Sequence, residues 1–171
     1  VNPIPDAGSD GVITLCSNSS SVNLFDSLGG TPQTGGTWSP TLASGSGVFD
    51  PSIDNAGTYT YTVGGNLCSS ATANVTVTIN QAPKSGIALE LNTCINETSV
   101  DLFIGLDGSQ DPGGIWSDDD STGALTGNIF NPPLVSAGTY HFTYTVSGTL
   151  PCSNSSTQIT VIVNPLPFAG N

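Results

Sequence analysis

The sequence predicts an all-β chain folded as two tandem β-sandwich domains, and three observations predict it. The first is alternation. Thr58 to Val63 and Ala71 to Ile79 place apolar residues at every second position, the period of a strand with one buried face. The second is an internal repeat. Cys16, Val22, Leu24, Phe25, Leu28, Gly30 and Trp38 recur at one offset as Cys94, Val100, Leu102, Phe103, Leu106, Gly108 and Trp116. Phe49, Ala56, Gly57 and Tyr59 recur as Phe130, Ala137, Gly138 and Tyr140 after a small insertion, and a second insertion brings Cys68 into line with Cys152. Self-similarity of this kind marks an array of structural units. The third is punctuation: short apolar runs are separated by clusters of Gly, Pro, Ser and Asn, the rhythm of a sandwich.

The stretch Ile53 to Val63 and its second copy, Leu134 to Val146, set the frame for every other element. In each, Ala-Gly-Thr-Tyr turns the chain and starts a strand. The Tyr hydroxyl is placed to reach back to the backbone of the turn, as in the tyrosine corner at the entry to strand F of immunoglobulin-like sandwiches. Tyr59 and Tyr140 are the expected corner residues, with Tyr61 and Phe142 sharing their face and entering the core.

The other elements fall in order around strand F. Asn2 to Gly8 is a linker whose prolines favour an extended path. Strand A is expected at Val12 to Cys16, a turn at Ser17 to Ser21, strand B at Val22 to Leu28, and a loop at Gly29 to Gly36. Trp38 marks strand C, and Val48-Phe49 is a short strand before Pro51. Strand F is Thr58 to Val63, its hairpin Gly64 to Ser70, and strand G Ala71 to Ile79. After the linker Asn80 to Gly86 the order repeats: A at Ile87 to Cys94, B at Val100 to Leu106, C at Trp116, then Ile129-Phe130, F at Thr139 to Val146 and G at Thr157 to Val163. No helix is expected. The domains are residues 1–80 and 81–164. Residues 165–171 resemble the opening Asn2-Pro3-Ile4-Pro5 and are read as the start of a linker to a further repeat.

Composition narrows the function. Thirteen acidic residues face one Lys and no Arg, for a formal net charge of −12. With so little cation to neutralise phosphate, nucleic acid is excluded as a partner, and an anionic membrane surface is disfavoured. No apolar stretch is long enough to span a bilayer, so membrane insertion is not expected. The chain is expected to be a monomer whose partners are neighbouring repeats, with a surface glycan as a further candidate.

Four Cys stand as one pair per repeat. In an oxidising compartment Cys16–Cys68 and Cys94–Cys152 are the economical pairings, although sequence alone permits three arrangements. In antibody domains the second Cys lies two residues after the corner Tyr; here Tyr61 and Phe142 hold that place and the Cys comes later, in the F–G hairpin. A four-thiolate metal site is disfavoured because no Cys-x-x-Cys spacing is present.

Asp118, Asp119 and Asp120 offer hard oxygen ligands suited to Ca²⁺, the one cofactor the sequence suggests. The run has no counterpart in the first repeat, and a solvated acidic loop is the plainer reading. Trp38 and Trp116 are either sugar-stacking platforms or the buried Trp of strand C; their place in the strand order favours the core. Catalysis has little material. The single His, His141, aligns with Thr60 on the strand face away from the core, and no nucleophile elbow is present, so no enzyme is expected.

Taken together, NPxPxAG, TLC, SVNLFDSLGGTPxxGGTWS, FxP, AGTYTYTV and VTVTIN resemble the tandem repeats of very large Bacteroidetes cell-surface and adhesin proteins, of the kind associated with gliding motility and type IX secretion. The resemblance covers essentially the whole chain. It implies a secreted, surface-held, immunoglobulin-like stalk that projects a distal binding region, and supplies no binding residues. It also brings in O-glycosylation, because Asp26-Ser27-Leu28 and Asp120-Ser121-Thr122 are similar to the acceptor pattern used by that group. Ser121, in a polar loop, is the better candidate of Ser27 and Ser121.

Overall fold

A computed structural model describes residues 4–45, 47–64 and 69–167. The chain forms two compact units, Val1–Ala82 with Thr149–Cys152, and Pro83–Gly148 with Ser153–Asn171. Both are all-β. Among the described residues the only helical turns are short 3-10 segments, and no helix is long and apolar enough to cross a membrane.

In the first unit, β1 (Gly11–Cys16), β6 (Ala71–Asn80), β5 (Gly57–Val63) and β3 (Thr37–Ser39) form one sheet in that order, while β2 (Val22–Asn23) pairs with β4 (Val48–Phe49). Strand β1 runs parallel to β6, from Gly11 beside Val75 to Cys16 beside Asn80; the other pairings are antiparallel. Alternation explains the core: Tyr59, Tyr61 and Val63 of β5 and Ala73, Val75 and Val77 of β6 all point inward. They meet Leu15, Leu24, Leu28, Leu42 and Phe49.

The second unit repeats the plan. Its main sheet is β7 (Leu91–Cys94), β13 (Ser155–Asn164), β12 (Gly138–Val146) and β9 (Ile115–Asp118), again with a parallel first pair. The facing sheet is β10 (Leu125–Thr126), β11 (Ile129–Phe130) and β8 (Val100–Asp101). Leu102, Phe130, Phe142, Tyr144, Ile159 and Val161 are fully buried at its centre.

The tyrosine corners form as expected. Tyr59 Oη donates to the Asn55 carbonyl at 2.7 Å and Tyr140 Oη to the Ser136 carbonyl at 2.9 Å. Strand B differs from expectation in both repeats. After two residues of strand the chain enters a 3-10 turn, Leu24–Ser27 in one unit and Leu102–Gly105 in the other. The cause is local. Asn23 Oδ1 accepts the Phe25 amide at 3.1 Å, and Asp101 Oδ1 accepts the Phe103 amide at 3.0 Å. Such a side chain competes with the sheet ladder for the backbone. Strand A of the second repeat is also shorter than Ile87 to Cys94, reduced to Leu91–Cys94 with an isolated bridge from Ala88 to Leu106.

The register of strand F is a further difference. Tyr61 aligns with Phe142 in sequence, yet its structural counterpart is Tyr144. Tyr61 Oη donates to the Gln33 carbonyl and accepts the Gly36 amide; Tyr144 Oη donates to the Asp111 carbonyl and accepts the Gly114 amide. Tyr61 stands opposite Trp38, and Tyr144 opposite Trp116. The second copy of strand F is therefore two residues longer, and Thr143, not His141, takes the place of Thr60. Tyr59 supplies the corner hydroxyl and also packs its ring on Phe49; in the second unit Tyr140 supplies the hydroxyl and Phe142 lies against Phe130.

Candidate functional site

The cysteines depart from the expected pairing. Cys16 is bonded to Cys152, with Cα atoms 5.0 Å apart and 136 positions between them in sequence. Cys94 is a free, exposed thiol. Cys68 lies outside the described residues. The parallel first pair of each sheet sets the strand-A cysteine far from the hairpin end of the last strand. Cys16 sits level with Asn80, the last residue of β6, whereas the F–G hairpin enters β6 at Ala71. Ten extended residues separate those ends by about 30 Å. A disulfide needs Cα atoms within about 7 Å, and three residues of hairpin do not cover the difference. Cys94, level with Asn164, stands in the same relation to Ser155 at the start of β13. Each sandwich thus places its strand-A cysteine at the far end of the last strand from the point where the F–G hairpin enters it.

The Trp residues sit beside the buried strand-F tyrosines. Trp38 and Tyr61 have ring centroids 5.1 Å apart, as do Trp116 and Tyr144, and Phe25 or Phe103 meets the same tyrosine edge-on. Trp116 is 8% exposed, whereas Trp38 is half-buried. Trp116 also forms part of an open groove of about 480 Å³ with Phe103, Ile115, Leu125 and Asn128. Its Nε1 is buried without a hydrogen-bond acceptor.

Each residue of the acidic run Asp118 to Asp120 accepts hydrogen bonds from protein, although Asp118 Oδ1 is buried without a partner. Asp118 Oδ2 accepts from Thr122 Oγ1 at 2.8 Å and the Gly123 amide at 3.0 Å. Asp119 accepts from Ser117 Oγ, Thr143 Oγ1 and Gln158 Nε2 at 2.9, 2.6 and 2.8 Å. Asp120 Oδ2 takes the His141 amide at 2.6 Å and faces His141 Nδ1 at 3.1 Å, an exposed pair. Burial opposes ionisation of Asp118 and Asp119, but these donors outweigh it and hold both carboxyls below the usual carboxylate range. Among the described residues no group of three His, Cys, Asp or Glu side chains is gathered as a metal site. Ser121 is exposed and adopts a positive φ of 56°. Ser27 ends the 3-10 turn half-buried, rather than lying on a strand.

Sequence reasoning missed Asp54. It is 7% exposed and gathers the Ala43 and Asp50 amides at 2.7 and 2.9 Å, with Ser44 bound through both its amide and its hydroxyl. Only the neighbouring turn residues of Asp50 to Asn55 hinted at this role. The hydroxyls of Tyr61 and Tyr144 were missed as well. Their signal is the Gly-Gly-x-Trp string, whose second glycine each tyrosine binds.

No family model matches the sequence, and no curated protein matches it. Solved structures do match. The chain is similar to the insect immune protein hemolin, whose domain arrangement bears on homophilic adhesion, with a TM-score of 0.50 and 14% identity over 95% of this chain and 47% of that one. Drosophila OTK extracellular domains 3–5 align at a TM-score of 0.45 and 15% identity, over 91% of this chain and 60% of that one. Sidekick-1 immunoglobulin domains 1–5 align at 0.42 and 14%, over 91% and 38%. The chain therefore spans 38% to 60% of the length of these three proteins. At 14% identity the likeness to hemolin concerns the fold, and it agrees with the two tyrosine corners and the facing sheets: the chain is a tandem of two immunoglobulin-like β-sandwiches.

Proposed function

We propose that this chain is a spacer segment of a bacterial surface adhesin, one stretch of a tandem array that carries a distal binding region away from the cell. The observation that carries this reading is which side chains recur. The Trp–Tyr–Phe cluster, the corner tyrosine and the Asx turn before the 3-10 segment are all present in both units. Each of these holds a sandwich together. The side chains suited to a site do not recur: Asp118 to Asp120 and His141 belong to the second unit alone. A cystine and the near-absence of cationic residues suit an extracellular, oxidising setting. The repeat motifs support an origin among Bacteroidetes surface proteins, with O-glycan on exposed Ser121 as an accompanying feature. Calcium at Asp118 to Asp120 is a secondary proposal, disfavoured by the donors already on Asp118 Oδ2, both Asp119 oxygens and Asp120 Oδ2.

A second reading has one observation in its favour, the open groove with Phe103, Ile115 and Trp116 in its lining. On that reading the second unit binds a carbohydrate or another surface polymer. A glycan-array screen of the full chain separates the two. A spacer gives no saturable hit. A saturable hit that is lost in Trp116→Phe, with the melting temperature held within a few degrees, replaces the spacer reading with the binding one.

A further inference from the structure

Cys94 occupies, in the second unit, the position that Cys16 occupies in the first. Cys16 lies level with Asn80 and Cys94 with Asn164, each at the end of a strand running parallel to the last strand of its sheet. The turns that follow match bond for bond. Ser17 N donates to the Asn80 carbonyl and Ile95 N to the Asn164 carbonyl, both at 2.9 Å. Ser19 N donates to the Cys16 carbonyl at 2.9 Å and Glu97 N to the Cys94 carbonyl at 3.0 Å.

The two positions differ in what meets them. At Cys16 the segment Thr149–Cys152 is seated as part of the first unit. It forms a turn closed by Cys152 N on the Thr149 carbonyl, bonds its sulfur to Cys16, and accepts the Asn80 side-chain amide on the Leu150 carbonyl at 2.7 Å. Cys16 is 3% exposed there. At Cys94 the thiol is exposed. The Asn164 amide turns back to the Thr93 carbonyl at 3.2 Å. Beside Cys94 lies an open groove of about 350 Å³, with Glu97, Val100 and Ile104 in its lining, and Ile104 is 62% exposed.

We infer that Cys94 is the acceptor for a Pro-Cys hairpin of a following domain of this same type, which bonds to it as Thr149–Cys152 bonds to Cys16. The occupant is fixed by the Cys16 site, where the same strand end, turn and Asn side chain already hold such a hairpin in this chain. The strand ends give the direction. Cys94 lies about 30 Å from Ser155, where the F–G hairpin enters β13, so its partner comes from outside its own unit. The sulfur chemistry is thiol–disulfide exchange with an oxidising disulfide, such as that of a protein oxidase or glutathione disulfide. Two S–H bonds are lost and one S–S bond forms. The two electrons and two protons reduce the oxidant disulfide to two thiols. This inference rests on the strand-end geometry, and a glycan hit leaves it standing.

The test is a three-domain chain in which a second copy of residues 81–164 follows Asn164. In the added copy Cys94→Ser leaves a single Cys94 in the molecule, and Ser153→Thr marks its hairpin by mass. The protein is oxidised with glutathione disulfide, alkylated while folded, and mapped without reduction. The expected result is a Cys94 peptide joined to the mass-marked hairpin peptide, with Cys94 protected from alkylation, and Cys16 still joined to the unmarked hairpin. Replacing the remaining Cys94 by Ser should then expose the marked hairpin thiol to alkylation, with the melting curve reporting that the chain is folded. Cys94 left alkylatable in the folded chain, capped only by glutathione, or joined to a second Cys94 between molecules overturns the inference.

Discussion

Asp54 shows how one side chain organises a region that has little regular structure. Its carboxylate ties the segment at Ala43 and Ser44 to the turn that begins at Asp50, and so closes the two loops on either side of β4. Burial works against its charge, but the converging donors win and its carboxyl lies below the usual range. The folded value is thus below the unfolded one. The stabilisation is fully present above the unfolded value, around pH 4, and is lost as pH falls through the folded value. Asp54→Asn is expected to cost the first unit about 1–3 kcal/mol near neutrality. The gap in melting temperature should shrink in acid. Thermal unfolding of both proteins near neutrality and in strong acid checks this; a gap that stays constant sinks the account.

At the scale of the element, Gly36 and Gly114 are demanded by close approach. A Cβ on Gly36 would stand 2.4 Å from the Thr62 carbonyl oxygen and 2.5 Å from the Tyr61 ring. On Gly114 it would stand 2.7 Å from the Thr145 carbonyl oxygen and 2.5 Å from the Tyr144 ring. Both neighbours are held, one by the sheet and one by its two hydroxyl hydrogen bonds. Gly36→Ala and Gly114→Ala are each expected to destabilise their own unit by about 1–3 kcal/mol through overpacking. Gly35→Ala and Gly113→Ala make useful contrasts, since nothing lies within 4 Å of either added Cβ and only the positive φ is strained. Equal losses at the open and crowded glycines would refute the close-approach explanation.

These elements also show what was legible in the sequence. Alternation and the Gly-Thr-Tyr corner located β5, β6, β12 and β13 because strand period and turn chemistry are local signals. Strand B was overread because a run such as Val22 to Leu28 looks apolar, while the Asn23 and Asp101 side chains decide the turn through a single hydrogen bond each. The extra pair of residues in β12 was invisible because Tyr59 does in one residue what Tyr140 and Phe142 do in two. The cystine was beyond reach for a different reason. Strand A's parallel pairing with strand G, which sets Cys16 and Cys94 at the end of strand G away from its hairpin, is a tertiary choice with no local sequence mark.

For the whole molecule, the Cys16–Cys152 bond dominates the covalent constraint. It closes a loop across 136 positions, worth about 5 kcal/mol in the chain-entropy account. That figure is a property of the pair, so the two sulfurs should behave as one unit in a mutant cycle. Cys16→Ser and Cys152→Ser are each expected to lower stability to denaturant by the same amount, a few kcal/mol, and the double variant should lose no more than either alone. Cys94→Ser should change stability by less than about 0.5 kcal/mol, because that thiol is exposed and unbonded. A reducing agent should bring the parent chain to the stability of Cys152→Ser and leave that variant nearly unmoved. Urea unfolding of the parent and the four variants, with the parent and Cys152→Ser also measured under the reducing agent, reads all of this at once. Additive losses at Cys16 and Cys152, or a loss at Cys94 as large as theirs, would mean that the cysteines pair within repeats after all, and the placement of the strand-A cysteines away from the hairpin would then have to be abandoned.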